Sequence, residues 1–187
     1  MNKSKVARVI SEIFNGFVTM ILVPLLAIIL SSLSTKLKVI YSLAYLLATI
    51  LPYLVLKKLG RASDYEFTKR EERPPYFITL SLLFGVLFLL LKRYGIATLT
   101  DVSLALFVAA SVVTIVTFFW KISGHMTYST LFFMTLGYLF SPYFLLLFLF
   151  SPLIAWSRIQ LKKHTVEQVI AGTLFTACIC ILIYWVF

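Results

Sequence analysis

The 187-residue chain is 61% hydrophobic, and only 13% of its residues are charged. Soluble domains carry about a quarter charged residues, so this composition excludes a water-soluble globular protein and indicates an integral membrane protein. The net charge of +10 comes from Lys and Arg residues that flank apolar runs, which favours the bilayer and lipid headgroups over nucleic acid as partners.

Apolar runs follow one another along the chain at residues 13–32, 38–56, 76–91, 102–120, 127–140, 143–156 and 166–187. A bilayer offers no water to backbone N–H and C=O groups, so each run is predicted to be a helix. These runs make six or seven transmembrane helices; the fifth and sixth, divided at 141–142, are short for full crossings and could instead form a tilted or partly re-entrant pair. We expect a compact all-α bundle in a multi-pass protein of the cell membrane, with residues 1–187 forming a single membrane-embedded domain.

Charged and polar residues cluster in three stretches between the runs, at 57–75, 120–129 and 157–168. Two apolar runs separate each stretch from the next, so all three emerge on one face of the membrane if every run crosses. That face, with the N-terminus, holds 13 Lys and Arg residues, and the opposite face holds 4. The positive-inside rule therefore predicts that the face with the three stretches is cytoplasmic.

These stretches contain the residue types that could bind and cleave a phosphate group without a metal. Arg73 and Arg158 can each form paired hydrogen bonds to phosphate oxygens. The Ser-Gly pair at 123–124 precedes a predicted helix start, where N–H groups and the helix dipole favour an anion. The chain has two histidines, His125 and His164, and imidazole can act as a nucleophile or a general acid near neutral pH.

The spacing of these residues resembles a known family. SGH at 123–125 and SR-x5-H at 157–164 resemble the second and third signature motifs of the phosphatidic acid phosphatase type 2 superfamily, which includes lipid phosphatases and vanadium haloperoxidases. RP at 73–74 resembles the end of the first motif. The motifs occur in the family's order and lie on one predicted face.

The resemblance implies a role for each matched residue. His164 would be the nucleophile that forms a phosphohistidine, and His125 the acid that protonates the leaving oxygen and later activates water. The phosphate would be held by Arg73, Ser123, the Gly124 backbone and Arg158. Such a site needs no metal and no other cofactor.

The first motif departs from the family pattern. The family places a lysine seven residues before the arginine of its Arg-Pro pair, and here that position is Glu66, which cannot bind phosphate. Lys69 or Arg70 could take over this contact, and Arg70 would lie about one helical turn from Arg73. Ile122 also replaces the proline that is usual before Ser-Gly-His.

The third motif departs at Gln168, where the family usually has an acid four residues after the nucleophilic histidine. A glutamine carbonyl can accept the N–H of the His164 ring but contributes no charge. Glu167, one position away, is an alternative orienting residue.

The pattern SR-x5-HT-x2-QV-x-AG at 157–172 is similar to that of dolichyl diphosphatases, which also carry glutamine at this place. The resemblance therefore implies a membrane lipid phosphatase that hydrolyses the terminal phosphate of a polyprenyl diphosphate. Alternative substrates are phosphatidate, phosphatidylglycerophosphate and a lipid A phosphate. A different class of function, a non-catalytic lipid-phosphate binder or flippase, is also open.

Overall fold

The computed structural model of the chain describes residues 2–186, and within them it contains helices but no strand. The α-helices are α1 (Lys3–Ile13), α2 (Gly16–Leu30), α3 (Thr35–Lys58), α4 (Arg73–Lys92), α5 (Ala97–Phe119), α6 (Gly124–Leu139), α7 (Ser151–Gln160) and α8 (Val166–Ile181). Short 3₁₀ helices precede α4 and α7, at Arg70–Glu72 and Pro142–Phe150, and a π-helical turn extends α8 over Leu182–Val186. The all-helical prediction is confirmed.

Several of these helical segments are compatible with a multi-pass membrane protein. Among the described residues, six segments are long and apolar enough to cross a bilayer: Lys3–Leu30, Thr35–Lys58, Arg70–Lys92, Ala97–Phe119, Pro142–Gln160 and Val166–Val186. The remaining long helix, α6, has 16 residues. At 1.5 Å per residue it is about 24 Å long, shorter than the roughly 30 Å of a bilayer's hydrocarbon core.

Short polar side chains start the helices that follow polar stretches. Asn2 caps α1, Ser34 caps α3, Ser123 caps α6 and Thr165 caps α8, each by accepting a hydrogen bond from a first-turn N–H. Such caps satisfy backbone donors that have no partner inside the helix. The stretches 120–129 and 157–168 therefore interrupt the apolar pattern and also determine where α6 and α8 begin.

The chain divides into two compact units, one containing the residues up to Met20 and from Lys121 onward, and the other containing Ile21–Trp120. In the second unit, α4 packs against α3 and α5. Hydroxyl groups join these helices: Tyr76 donates to the Thr49 carbonyl at 3.2 Å, and Thr114 donates to the Phe77 carbonyl at 2.9 Å. Interhelical hydrogen bonds of this kind satisfy polar groups away from water.

In the first unit, α1 packs against α7, and α6 packs against α8 and the 3₁₀ helix Pro142–Phe150. Its core is formed by Met126, Phe133, Ile154 and Val169. Phe14, at the end of α1, packs on this cluster with its ring centroid 6.3 Å from that of Phe133, edge to face. Two of the core residues directly follow His125 and Gln168, so the core also supports the predicted site.

Gly172 gives a test of the contact between α6 and α8. A Cβ added there would lie 2.9 Å from the Ser123 carbonyl oxygen and 3.1 Å from the Met126 Cβ, so one helix would have to move. We expect Gly172→Ala to destabilise the protein by about 1–2 kcal/mol, because the overpacking outweighs the helix propensity gained. The measurement is the thermal unfolding midpoint in detergent, with Gly124→Ala as the matched control. An unchanged midpoint for Gly172→Ala would contradict the close packing.

Candidate active site

The N-terminus of α6 is held by α8. Ser123 is fully buried, its hydroxyl accepts a hydrogen bond from Met126 N at 3.4 Å, and its own N–H donates to the Gln168 carbonyl at 3.2 Å. The helix start predicted after 123–124 is confirmed. The positive end of the α6 dipole is therefore fixed beside the first turn of α8, where it can attract an anion.

Space is open beside Gly124. Apart from its chain neighbours and its own helix backbone, no described residue has a heavy atom within 4 Å of the position that a Cβ would take. Gly172 and Gly16 are both closely packed at the corresponding position. The first turn of α6 therefore has room beside its backbone for a bound group.

A tight turn carries the chain from α7 into α8. Lys162 adopts a left-handed conformation with φ of 54°. Its N–H donates to the Ile159 carbonyl at 2.9 Å, and Lys163 N donates to the Arg158 carbonyl at 3.0 Å. This pattern closes a helix end and reverses the chain. Because Lys121 Nζ also donates to the Lys163 carbonyl at 2.8 Å, the stretches 120–129 and 157–168 meet here.

Arg158, near the end of α7, and His125, in the first turn of α6, are in direct contact. The Arg158 side chain is 2% exposed and its Nη1 lies 3.3 Å from His125 Nε2. Arg158 Nη1 also donates to the hydroxyl of Ser11, a buried residue of α1. The Ser11 hydroxyl lies 3.3 Å from His125 Nε2, so the three groups form a closed triangle.

His164 is oriented by Gln168, as the sequence predicted for the glutamine carbonyl. His164 Nδ1 and Gln168 Oε1 are 3.0 Å apart, and the same oxygen accepts a hydrogen bond from Thr165 N at 3.3 Å. The bond from the Thr165 N–H makes this atom the acceptor oxygen of the amide, so Nδ1 of His164 is the donor in the bond to it. In the neutral ring this tautomer leaves the lone pair on Nε2. Glu167 has an exposed side chain on the outside of this turn.

The two arginines of the first motif lie in the second unit and have partners there. Arg73 is 3% exposed, and its Nε donates to the Phe67 carbonyl at 2.8 Å. Arg70 Nη1 donates to the Phe118 carbonyl in the last turn of α5 at 3.2 Å. Lys69, the other candidate for the missing lysine, has its Nζ 3.6 Å from a Glu72 carboxylate oxygen. These contacts give Arg70 and Arg73 structural roles; their binding to phosphate stays a prediction.

The first unit thus contains most of the predicted site residues: Ser123, Gly124, His125, Arg158, His164 and Gln168. Backbone hydrogen bonds connect them, since the Arg158 carbonyl also accepts from His164 N at 3.4 Å. Sequence reasoning missed Ser11. The signal that could have found it is a small polar residue one turn after Ala7, on the side of the N-terminal segment away from its basic residues.

Chemically, the site combines a buried guanidinium, a helix N-terminus with space beside it, and two imidazoles. The cation and the helix dipole favour an oxyanion. The imidazole of His164 in its neutral form presents a lone pair on Nε2, and the imidazole of His125 can transfer a proton. Comparison with family models, with curated proteins and with solved structures finds no match to this chain. Its function is therefore inferred from these residues.

The Gly124→Ala variant tests anion binding at the start of α6 without a loss of folding stability. The open space around Gly124 leaves room for a methyl group, and alanine favours a helix over glycine by about 0.5–1 kcal/mol. We expect the unfolding midpoint to stay the same or rise. The methyl would occupy the space beside the α6 N-terminus, so binding of orthovanadate, measured by isothermal titration in detergent, should weaken about tenfold or more. Unchanged orthovanadate binding would contradict a phosphate position beside Gly124.

Proposed function

We propose that the protein is a membrane lipid phosphatase of the phosphatidic acid phosphatase type 2 kind, and that it removes the terminal phosphate of a polyprenyl diphosphate through a phosphohistidine, without a metal. The observation that carries the proposal is the network in the first unit. There, Arg158 contacts His125 at 3.3 Å, and Gln168 orients His164 at 3.0 Å, both beside the N-terminus of α6. These groups meet the needs of phosphoryl transfer: cations for the oxygens, a nucleophile and an acid.

The reaction would proceed in two displacements. His164 Nε2 attacks the terminal phosphorus while the bond between phosphorus and the bridging oxygen breaks, and His125 gives a proton to that oxygen. The polyprenyl monophosphate leaves, and the terminal phosphoryl group stays on His164. Water then attacks the phosphorus, giving its proton to His125, and the N–P bond breaks to release inorganic phosphate. Both histidines return to their starting protonation states.

Gln168 supports a diphosphate substrate. Its carbonyl fixes the ring of His164 but adds no negative charge to stabilise the phosphohistidine or the imidazolium form. A phosphate ester is a better leaving group than an alkoxide. Cleavage of a diphosphate therefore depends less on a negative charge beside the nucleophile His164. Phosphatidate, phosphatidylglycerophosphate and lipid A phosphate remain the alternative substrates.

An apolar groove beside the site supports a lipid substrate. The groove has a volume of about 350 Å³ and lies between α6, α7 and α8. Met126 and Val169, the residues after His125 and Gln168, form part of its wall. Burying a hydrocarbon chain there would contribute about 25 cal/mol per Å² of apolar surface removed from water.

The proposal extends to residues and placements that rest on the sequence alone. Arg73 is included as a phosphate ligand because of its motif, with Arg70 or Lys69 as the substitute for the missing lysine. We place the protein in the cell membrane because of the six long apolar helical segments among residues 2–186, and the site on the cytoplasmic side because of the 13 to 4 distribution of Lys and Arg.

His164→Ala tests the enzyme hypothesis. Purified wild-type protein in detergent should release phosphate from farnesyl or undecaprenyl diphosphate, and His164→Ala should reduce the rate by about 10³-fold or more, because the nucleophile is removed. Wild type incubated with ³²P-labelled substrate should also show acid-labile protein-bound label that the variant lacks. Gln160→Ala, an exposed position on α7, is the control.

A wild-type rate no higher than that of His164→Ala on every lipid phosphate would exclude a phosphatase. Saturable binding of those lipids without turnover would then indicate the non-catalytic binder or flippase.

Gln168→Glu tests the role of the orienting residue. Glutamate keeps the length and both acceptor contacts, to His164 and Thr165, and adds a negative charge. We expect turnover of the diphosphate to be equal to wild type or up to about tenfold higher, with a larger gain on phosphatidate, whose leaving group is poorer. Gln168→Ala should instead lower turnover and remove part of the α8 cap, at a cost of about 1 kcal/mol in stability. Complete loss of activity in Gln168→Glu at an unchanged unfolding midpoint would indicate that the amide contacts the substrate.

A further inference from the structure

Ser11 lies outside every motif of the sequence, on the face of α1 that packs against α7. Ala7 and Ser11 are one turn apart and are 0% and 2% exposed, whereas Lys3, Lys5 and Arg8 are exposed on the rest of the helix. The N-terminal helix therefore presents a basic surface outward and places a single hydroxyl in the interior of the first unit.

The hydrogen bonds of Ser11 differ from those of most hydroxyls in these helices. Hydroxyls buried in an apolar helix commonly bond to the carbonyl one turn earlier, as Thr49 does to Tyr45 and Ser103 does to Leu99. The Ser11 hydroxyl instead accepts from Arg158 Nη1 and lies 3.3 Å from His125 Nε2. Its contacts are with the site.

Backbone packing fixes the position of Ser11. Gly16, at the start of α2, approaches the start of α6 so closely that a Cβ would lie 3.0 Å from the Gly124 carbonyl oxygen and 3.1 Å from the Cα of His125. Asn15 supports the corner between α1 and α2 by accepting from Phe17 N at 2.9 Å. The segment that carries Ser11 is thus anchored against the residues it contacts.

A hydroxyl has a property here that a guanidinium lacks. Arginine can only donate, so its bond to His125 Nε2 requires a lone pair on that nitrogen. A serine hydroxyl can donate or accept, so it can stay bonded to Nε2 with or without a proton there. Only the hydroxyl is suited to a histidine that gains and loses a proton during a reaction.

We propose that Ser11 is a positioning residue of the phosphate site, which holds His125 through both protonation states and keeps Arg158 beside it. This inference rests on the proposed function, in which His125 transfers the proton and Arg158 binds the phosphate. It makes the N-terminal helix part of the active site.

The experiment compares Ser11→Ala, Ser11→Cys and Ser11→Thr with Ser4→Ala, a control at an exposed serine of the same helix. In hydrolysis of farnesyl diphosphate, Ser11→Ala should lower kcat/KM about tenfold, the size expected for a hydrogen bond to a charged group. Ser11→Cys keeps the shape of the side chain with a slightly larger atom that bonds weakly, so it should resemble Ser11→Ala. Ser11→Thr keeps the hydroxyl and should restore activity to within about threefold of wild type. Ser4→Ala should match wild type.

Two readouts distinguish positioning from packing. The pH profile of kcat should move in Ser11→Ala, because His125 has lost a partner that accommodates both of its forms. The unfolding midpoint should change little in Ser11→Cys, because the thiol fills the space of the hydroxyl and leaves no cavity. If Ser11→Thr proves too large for the site and its midpoint falls, the comparison of Ser11→Cys with wild type decides the question.

Several results would overturn the inference. If Ser11→Ala and Ser11→Cys match wild type in kcat/KM and pH profile, Ser11 has no role in the site although the phosphatase function stands. If kcat/KM rises, the hydroxyl competes with the substrate. If wild type releases no phosphate from any lipid, the proposed function fails. Orthovanadate binding then decides the inference: weaker binding by Ser11→Ala supports it, and equal binding, or none by wild type, overturns it.

Discussion

The first unit depends on the close approach of α8 to the start of α6. Gly172 allows the two backbones to meet, and the hydrogen bond from Ser123 N to the Gln168 carbonyl, at 3.2 Å, fixes their register. Since packed interiors do not deform continuously, this one contact sets the distance between the residues that begin the two helices. His125 and His164 are each within a few residues of it, so the geometry of the site follows from a packing constraint between two helices.

A second constraint is the burial of a cation. Arg158 is 2% exposed, and an ion removed from water is tolerated only where polar groups surround it. Ser11 and His125 provide such groups at Nη1. In the proposed phosphate site, the guanidinium is therefore already held in place before an anion binds. Preorganised donors of this kind stabilise developing charge without a reorganisation cost during the reaction.

Gln168 contributes both to the stability of α8 and to the orientation of His164. Its Oε1 accepts from Thr165 N in the cap of α8 and from Nδ1 of His164, so one atom both starts the helix and selects the ring tautomer. A carboxylate could do the same and would add charge. The neutral amide suits a substrate whose leaving group needs little assistance, which links a local departure from the family pattern to the proposed choice of a diphosphate.

Composition and periodicity were sufficient to predict the all-helical class, because in lipid an apolar run has few other ways to form hydrogen bonds with all its backbone N–H and C=O groups. The motif spacing was sufficient to predict the start of α6 after Ser123 and the contact between Gln168 and His164, since caps and residues one turn apart interact locally. The apolar pattern also predicted that the run at 127–140 is short for a full crossing, and α6 has 16 residues. Local patterns could not predict that Arg70 donates to the carbonyl of Phe118 in α5, because that contact depends on where another helix ends.

Ser11 shows most clearly where prediction from sequence stops. The sequence by itself determined that the N-terminal segment is basic and amphipathic, and it placed Arg158 and His125 in stretches that resemble phosphate motifs. Only the tertiary structure brought Ser11 to a residue 147 positions away in the chain. The physical reason is that a helix face is chosen by local periodicity, whereas its partner is chosen by packing among all the helices of the unit.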